Sequence, residues 1–130
     1  MAQRPAVELL DAALRSLDVA ITALRPAQRY AAAHLAALRT CAAVLASTAR
    51  PAAGRPTNAW LLLATVAPEY AEWAAYFSAG AGKRALAEAG IEGVVSEREA
   101  DDLMRDTAAF IELVAVRLDP AWHMPLPVSS

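Results

Sequence analysis

The segment Arg29-Tyr30-Ala31-Ala32-Ala33-His34 holds an arginine and a histidine separated by four residues. Such a pair can cleave RNA without a metal, the imidazole acting as general acid or base at the 2′-hydroxyl and the guanidinium stabilising charge on the phosphorane. At about 100° per residue the two side chains lie about 140° apart on a regular helix. They converge only if Arg29 sits in a distorted first turn or if the site is shared between subunits. The plainer reading is a satisfied core His34 and a surface Arg29. Arg39, in the same apolar stretch, is a third candidate for contacting RNA or a nucleotide. If buried it needs an acid partner, and Glu72 or Asp102 could serve.

A second constellation suggests different chemistry. Glu69-x-x-Glu72 and Glu99-x-x-Asp102 fall on two expected helices, and each pair projects from one helical face. Four converging carboxylates could hold Mg²⁺ against a nucleoside triphosphate and let a metal-activated water attack phosphorus. The pattern is similar to that of all-α nucleotide pyrophosphohydrolases of the MazG type. Each carboxylate also has an ordinary explanation, because acids in the first turn of a helix offset its dipole. Gly80-Ala81-Gly82-Lys83-Arg84 echoes the end of a phosphate-binding loop, but Phe77 stands in place of the earlier glycine and Arg84 in place of the Ser or Thr. His123, beside Trp122 and Met124, has no second ligand nearby and reads as exposed.

The elements that must position these residues are helical. Residues 6–24 place Val7, Leu10, Leu14, Leu17, Ile21 and Leu24 on one seam. Pro26 opens a second helix over 26–49 that is apolar nearly all round, which makes it central or an interface. Its length approaches that of a membrane span, but Arg39 and His34 would be costly in lipid, so no membrane association is expected. Residues 50–57, with two prolines and a glycine, form the clearest loop. Thr57 or Asn58 caps a third helix whose stripe Trp60, Leu63, Ala67, Tyr70, Ala74 and Phe77 runs through Pro68, a kink or a restart. Trp73 and Tyr76 fall off this stripe and are candidates for a subunit contact. Gly90 is a C-terminal stop, and Ser96 with Glu99 makes a capping box for a last helix ending near 118. The domain is therefore a single bundle over 1–118, and 119–130 is a Pro-rich tail that is extended or disordered.

Composition bounds the rest. The chain has 130 residues, 57% of them hydrophobic, and about a quarter are Ala, which excludes disorder over most of the length and a β-rich fold. A net charge of -2 gives no basic field for nonspecific nucleic-acid binding, and no sequence-specific DNA motif is present. Cys41 is the lone cysteine and reads as a reduced, packed thiol of a cytoplasmic protein, since MAQRPAVELLDAALR carries acids where a signal peptide needs an apolar stretch.

The runs RYAAAHLAALRTCAAVLA, NAWLLLATVAPEYAEWAAYFSAGAGKRALAEAGI and SEREADDLMRDTAAF resemble a small actinobacterial family of HEPN-domain proteins (higher eukaryotes and prokaryotes nucleotide-binding). The likeness spans about residues 7–116. It implies an all-α, up-down bundle of four to five helices, commonly homodimeric, with a role in RNA cleavage or in RNA and nucleotide binding. The superfamily's Arg-x4–6-His motif maps here only to Arg29 and His34; Tyr30 stands where Asn, Asp or His is often found, and the pair lies early in the chain. Three functions follow as expectations: an RNA or nucleotide binder around Arg29, His34 and Arg39, with metal-free ribonuclease activity if the pair converges and no cofactor; Mg²⁺-dependent nucleotide hydrolysis at Glu69, Glu72, Glu99 and Asp102; or a dimeric scaffold without catalysis.

Overall fold

Alanines spaced along the second segment set the architecture, because faces of small side chains let two helix axes approach closely. The computed structural model describes residues 4–48 and 58–125. Among these residues there are six α-helices and no strand: α1 (Arg4–Thr22), α2 (Pro26–Ser47), α3 (Ala59–Val66), α4 (Ala71–Ala79), α5 (Ala81–Glu88) and α6 (Glu97–Leu118). The expected loop at 50–57, Thr57 as an alternative cap and the end of the tail lie outside the described residues.

α1 runs antiparallel to α2: Arg29 reaches the carbonyls of Ala20 and Ala23, and Arg39 reaches Ser16. The buried stripe of α1 is Ala6, Leu10, Ala13, Ser16, Leu17 and Ala20, which keeps Leu10 and Leu17 of the expected seam and fills the rest with small residues. Val7 (41% exposed), Ile21 (52%) and Leu24 (95%), expected inside, are outside. The face has turned toward the alanines because α2 is itself lined with small, wholly buried residues, Ala33, Ala36, Ala37 and Ala43, of which Ala36 packs with Ala13 and Leu17. α6 closes this layer with Ala100, Leu103, Thr107, Phe110, Ile111 and Val114 turned inward.

After Asn58 the chain restarts at Pro68, one of the two outcomes expected there, and divides again at Gly80, so that three helices stand. Asn58 caps α3 by accepting from the Leu61 amide at 2.7 Å. Ala67, just before Pro68, leaves helical geometry (φ -137°, ψ 72°), and the chain restarts through a 3-10 turn at Pro68–Tyr70 into α4. Gly80 then divides α4 from α5. α5 ends in a Schellman turn, with Gly90 at φ +77° and Ile91 N–H donating to the Leu86 carbonyl at 3.2 Å. At the start of α6 the capping box is complete: Ser96 Oγ accepts from the Glu99 amide at 3.0 Å, and the Glu99 carboxylate accepts from the Ser96 amide at 3.1 Å.

Between the short helices and α6 lies an aromatic core. Phe77 stacks on Trp60 and Phe110 on Trp73, each pair with centroids 5.2 Å apart, an arrangement that adds roughly 0.5–1.5 kcal/mol per pair to the gain from burial. Trp73 therefore belongs partly to the core. α2 is long and apolar enough to span a membrane, but 50% of that window is buried within the bundle, and no residue from Tyr30 to Thr48 is exposed. Cys41 is fully buried, and desolvation pushes its thiol up to about 12. The tail departs from expectation at its start, where Trp122 N–H bonds the Asp119 carbonyl at 2.9 Å and the Trp122 and Met124 side chains pack on the helices. His123 is exposed.

Candidate functional site

One turn apart on α2, Tyr30 and His34 share a face, and that face looks across to the junction of α4 and α5. Gly80 lets the Tyr30 side chain come close at this junction: a Cβ there would lie 2.6 Å from the Tyr30 hydroxyl, which would have to shift, and 3.7 Å from His34 Cδ2. The opening beside it is a cavity of about 360 Å³, walled by Tyr30, His34, Tyr76, Phe77 and Gly80 and rimmed by Lys83, Glu99 and Asp102. α5 brings Lys83, and the capped first turns of α6 bring both carboxylates.

His34 is 1% exposed, and its Nε2 lies 2.8 Å from the Phe77 carbonyl oxygen. A carbonyl only accepts, so Nε2 carries the proton and the ring is the Nε2–H tautomer. The same carbonyl, in the last turn of α4, also accepts from the Gly80 amide at 3.1 Å, so the His34 bond uses its second lone pair. Nδ1 is buried with no hydrogen-bond partner. Burial lowers the imidazole pKa, and the Phe77 bond only partly opposes this, so the ring is neutral near pH 7.

The tyrosines frame the cavity differently. Tyr76 donates its hydroxyl to Asp106 at 2.6 Å, and burial, helped by that carboxylate, pushes its phenol far above the usual range. Burial also raises Tyr30. At the rim Lys83 forms an ion pair with Glu99. Each holds the other charged, raising the lysine and lowering the carboxyl, which the Ser96 amide lowers further. Asp102 accepts from Arg105 at 2.5 Å and has Arg98 at 3.9 Å from its second oxygen.

Arg29 and His34 do not share this cavity. The Arg29 guanidinium donates to the carbonyls of Ala20 (3.0 Å) and Ala23 (2.9 Å) and to Asp101 (2.6 Å), which caps the end of α1 and ties it to α6. The first turn of α2 is not distorted in a way that brings the pair together within one chain. Arg39 is likewise engaged elsewhere, donating to Ser16 Oγ at 2.6 Å, and the expected partners Glu72 and Asp102 are not its partners. The carboxylate site is also not formed. Among the described residues no three His, Cys, Asp or Glu side chains come together to hold a metal, because Glu99 serves its helix cap and Lys83, Asp102 pairs with arginines, Glu69 is exposed, and Glu72 lies in a separate groove with Trp73 and Tyr76.

For four cavity residues the sequence suggests other readings: Tyr30 as a departure from the Arg–His motif, Tyr76 as a subunit contact, and Gly80 and Lys83 as an incomplete phosphate-binding loop. The signal for Tyr30 was present: Tyr30 and His34 stand at i and i+4, the spacing that shares a face, whereas Arg29 and His34 do not. Nothing local could have placed Lys83 opposite Glu99, since that pairing depends on how α5 packs.

No curated protein and no solved structure matches the chain. The sequence profile of the SAV_6107-like HEPN family matches residues 20–115, from the last turn of α1 through nearly all of α6, and so takes in every residue of the cavity. On that match the chain belongs to the SAV_6107-like HEPN family.

Proposed function

We propose that this HEPN protein binds RNA or a nucleotide in the cavity between α2, the α4–α5 junction and the start of α6, and that Arg29 and His34 are structural residues and not a nuclease pair. The observation that supports this most is the cavity itself, where two tyrosine rings, a buried neutral histidine and one lysine meet in a member of a nucleotide-related family. Aromatic walls suit a stacked base, and Lys83 suits a phosphate or a carbonyl oxygen. With a net charge of -2 and a single cation on the rim, affinity comes from holding a base more than from phosphate neutralisation.

The test is binding and cleavage of short RNAs in chelator by the wild type, Lys83→Ala, Tyr30→Ala, Arg29→Ala and His34→Ala, each checked for folding. We expect binding that Lys83→Ala and Tyr30→Ala weaken, a shallow salt dependence with a slope near that of about one phosphate contact, and intact RNA. Metal-free cleavage abolished by both Arg29→Ala and His34→Ala in folded protein would sink the proposal and restore the nuclease reading.

A further inference from the structure

We infer that the cavity is selective for guanine, recognised along the edge that carries N1–H, N2–H and O6; this rests on the nucleotide-binding reading above. The inference follows from which polar groups around the cavity remain free. Two of its donors are already engaged: His34 Nε2–H is held by the Phe77 carbonyl and the Tyr76 hydroxyl by Asp106. Glu99 is doubly engaged, by the Ser96 amide and by Lys83. Asp102 differs, because only one oxygen is hydrogen-bonded, to Arg105, and its nearest other cation, Arg98, stands 3.9 Å away. Arg98 and Arg105 are mostly exposed, so water readily replaces them. What the lining offers a ligand is therefore the Asp102 carboxylate with unused acceptor capacity, the ammonium of Lys83 with donors beyond the one Glu99 takes, and the Tyr30 hydroxyl, which has no hydrogen-bond partner among the described residues.

A carboxylate accepts two parallel N–H bonds. Guanine presents such a pair, N1–H and the 2-amino group, next to the O6 acceptor that an ammonium would meet. Adenine and cytosine present one amino group beside a bare ring nitrogen, which would face a carboxylate oxygen lone pair to lone pair. Uracil has a single N–H between two carbonyls. Tyr30 and Tyr76 supply the walls against which the flat ring rests. His34, 1% exposed and with Nδ1 unpartnered, lines the cavity with them.

The guanine can come from a free nucleotide or from RNA, and the experiment separates the two. Binding of GMP, AMP, CMP and UMP, and of oligouridine with and without one central guanosine, is measured on the full chain. We expect a preference for guanine over each other base of about tenfold or more, the discrimination of a bidentate contact. A preference seen with GMP assigns a free nucleotide, and one seen only in the oligonucleotide assigns RNA. Asp102→Asn replaces one acceptor with a donor and is expected to lose the guanine preference and gain adenine, which a merely structural role for Asp102 would not do. Should that variant fail to fold, Lys83→Gln at an exposed position reads the O6 contact instead and should lower guanine binding more than adenine binding. Binding with no base preference, or a preference that both variants leave intact, overturns the inference while the nucleotide-binding reading stands. If no probe binds, both fall.

Discussion

Two neighbours in sequence, Arg29 and Tyr30, belong to two different regions of the molecule. Arg29 faces the α1–α6 side, where every donor the structure records goes to a backbone carbonyl or to Asp101. Tyr30 faces the α4–α5 side, where its hydroxyl stands over Gly80 beside an open cavity, and His34 follows it one turn later. The first region is a tie that holds helices together, and the second has room and unspent polar capacity. The difference teaches that on a helix wrapped on all sides, one residue of offset decides between structure and chemistry, so a two-residue motif must be tested by its face before its residue types.

Substitutions at the heart of the second region should have the largest effect. His34→Ala removes a fully buried ring and its bond to the Phe77 carbonyl, and should cost about 2–4 kcal/mol in denaturant unfolding. The same residue sets an acid response. Its folded pKa lies below the unfolded value of about 6.5, so the stabilisation is complete above that pH and is lost as pH falls through and below it. The groups acting on it are Arg84, which lowers the pKa further, and Glu88, which opposes. Unfolding midpoints of wild type and His34→Phe measured over that range should converge toward acid; parallel curves would show that another group carries the response.

Arg29→Ala breaks the first region and should cost about 1–2 kcal/mol, through lost capping of α1 and the Asp101 pair, while leaving nucleotide binding unchanged. Loss of binding at unchanged stability would erase the contrast between the two faces. Gly80→Ala sharpens it from the other side. The backbone at Gly80 is ordinary, so the cost is the displaced Tyr30 hydroxyl, roughly 1 kcal/mol or less, but ligand binding should fall because the wall of the cavity moves.

The smallest stability effect is expected at the rim. Lys83→Ala should leave the unfolding midpoint nearly unchanged near neutral pH, since the pair with Glu99 is open to water. What contribution there is falls away as pH rises past the elevated lysine pKa, and as it falls through the lowered Glu99 pKa. A large loss of stability in Lys83→Ala would mean that the rim is part of the core and not a place for ligand.

Much of the fold was legible in local chemistry. The Asn58 and Ser96 caps, Pro26 at the start of α2, the stop at Gly90 and the end of α6 at Leu118 all follow from residue types that satisfy or interrupt backbone hydrogen bonds over a few positions. The division of α4 from α5 and the turned face of α1 were not legible, because both depend on partners distant in sequence. The large residues Val7 and Ile21 marked a seam by hydrophobicity, but the neighbouring helix accepts alanines, and close packing outweighed the size of the side chains.

The candidate site shows the same division. Sequence alone determined that the chain is all helical, that His34 sits in an apolar helix, and that acids begin α6, since propensity, periodicity and capping act within a turn or two. Which side of α2 would meet α1 and which would meet α4 and α5 was decided only by the tertiary structure. An apolar helix with no polar face has no local signal for its orientation. Its neighbours choose that orientation, and the choice placed Arg29 in a tie between helices and His34 on the wall of a cavity.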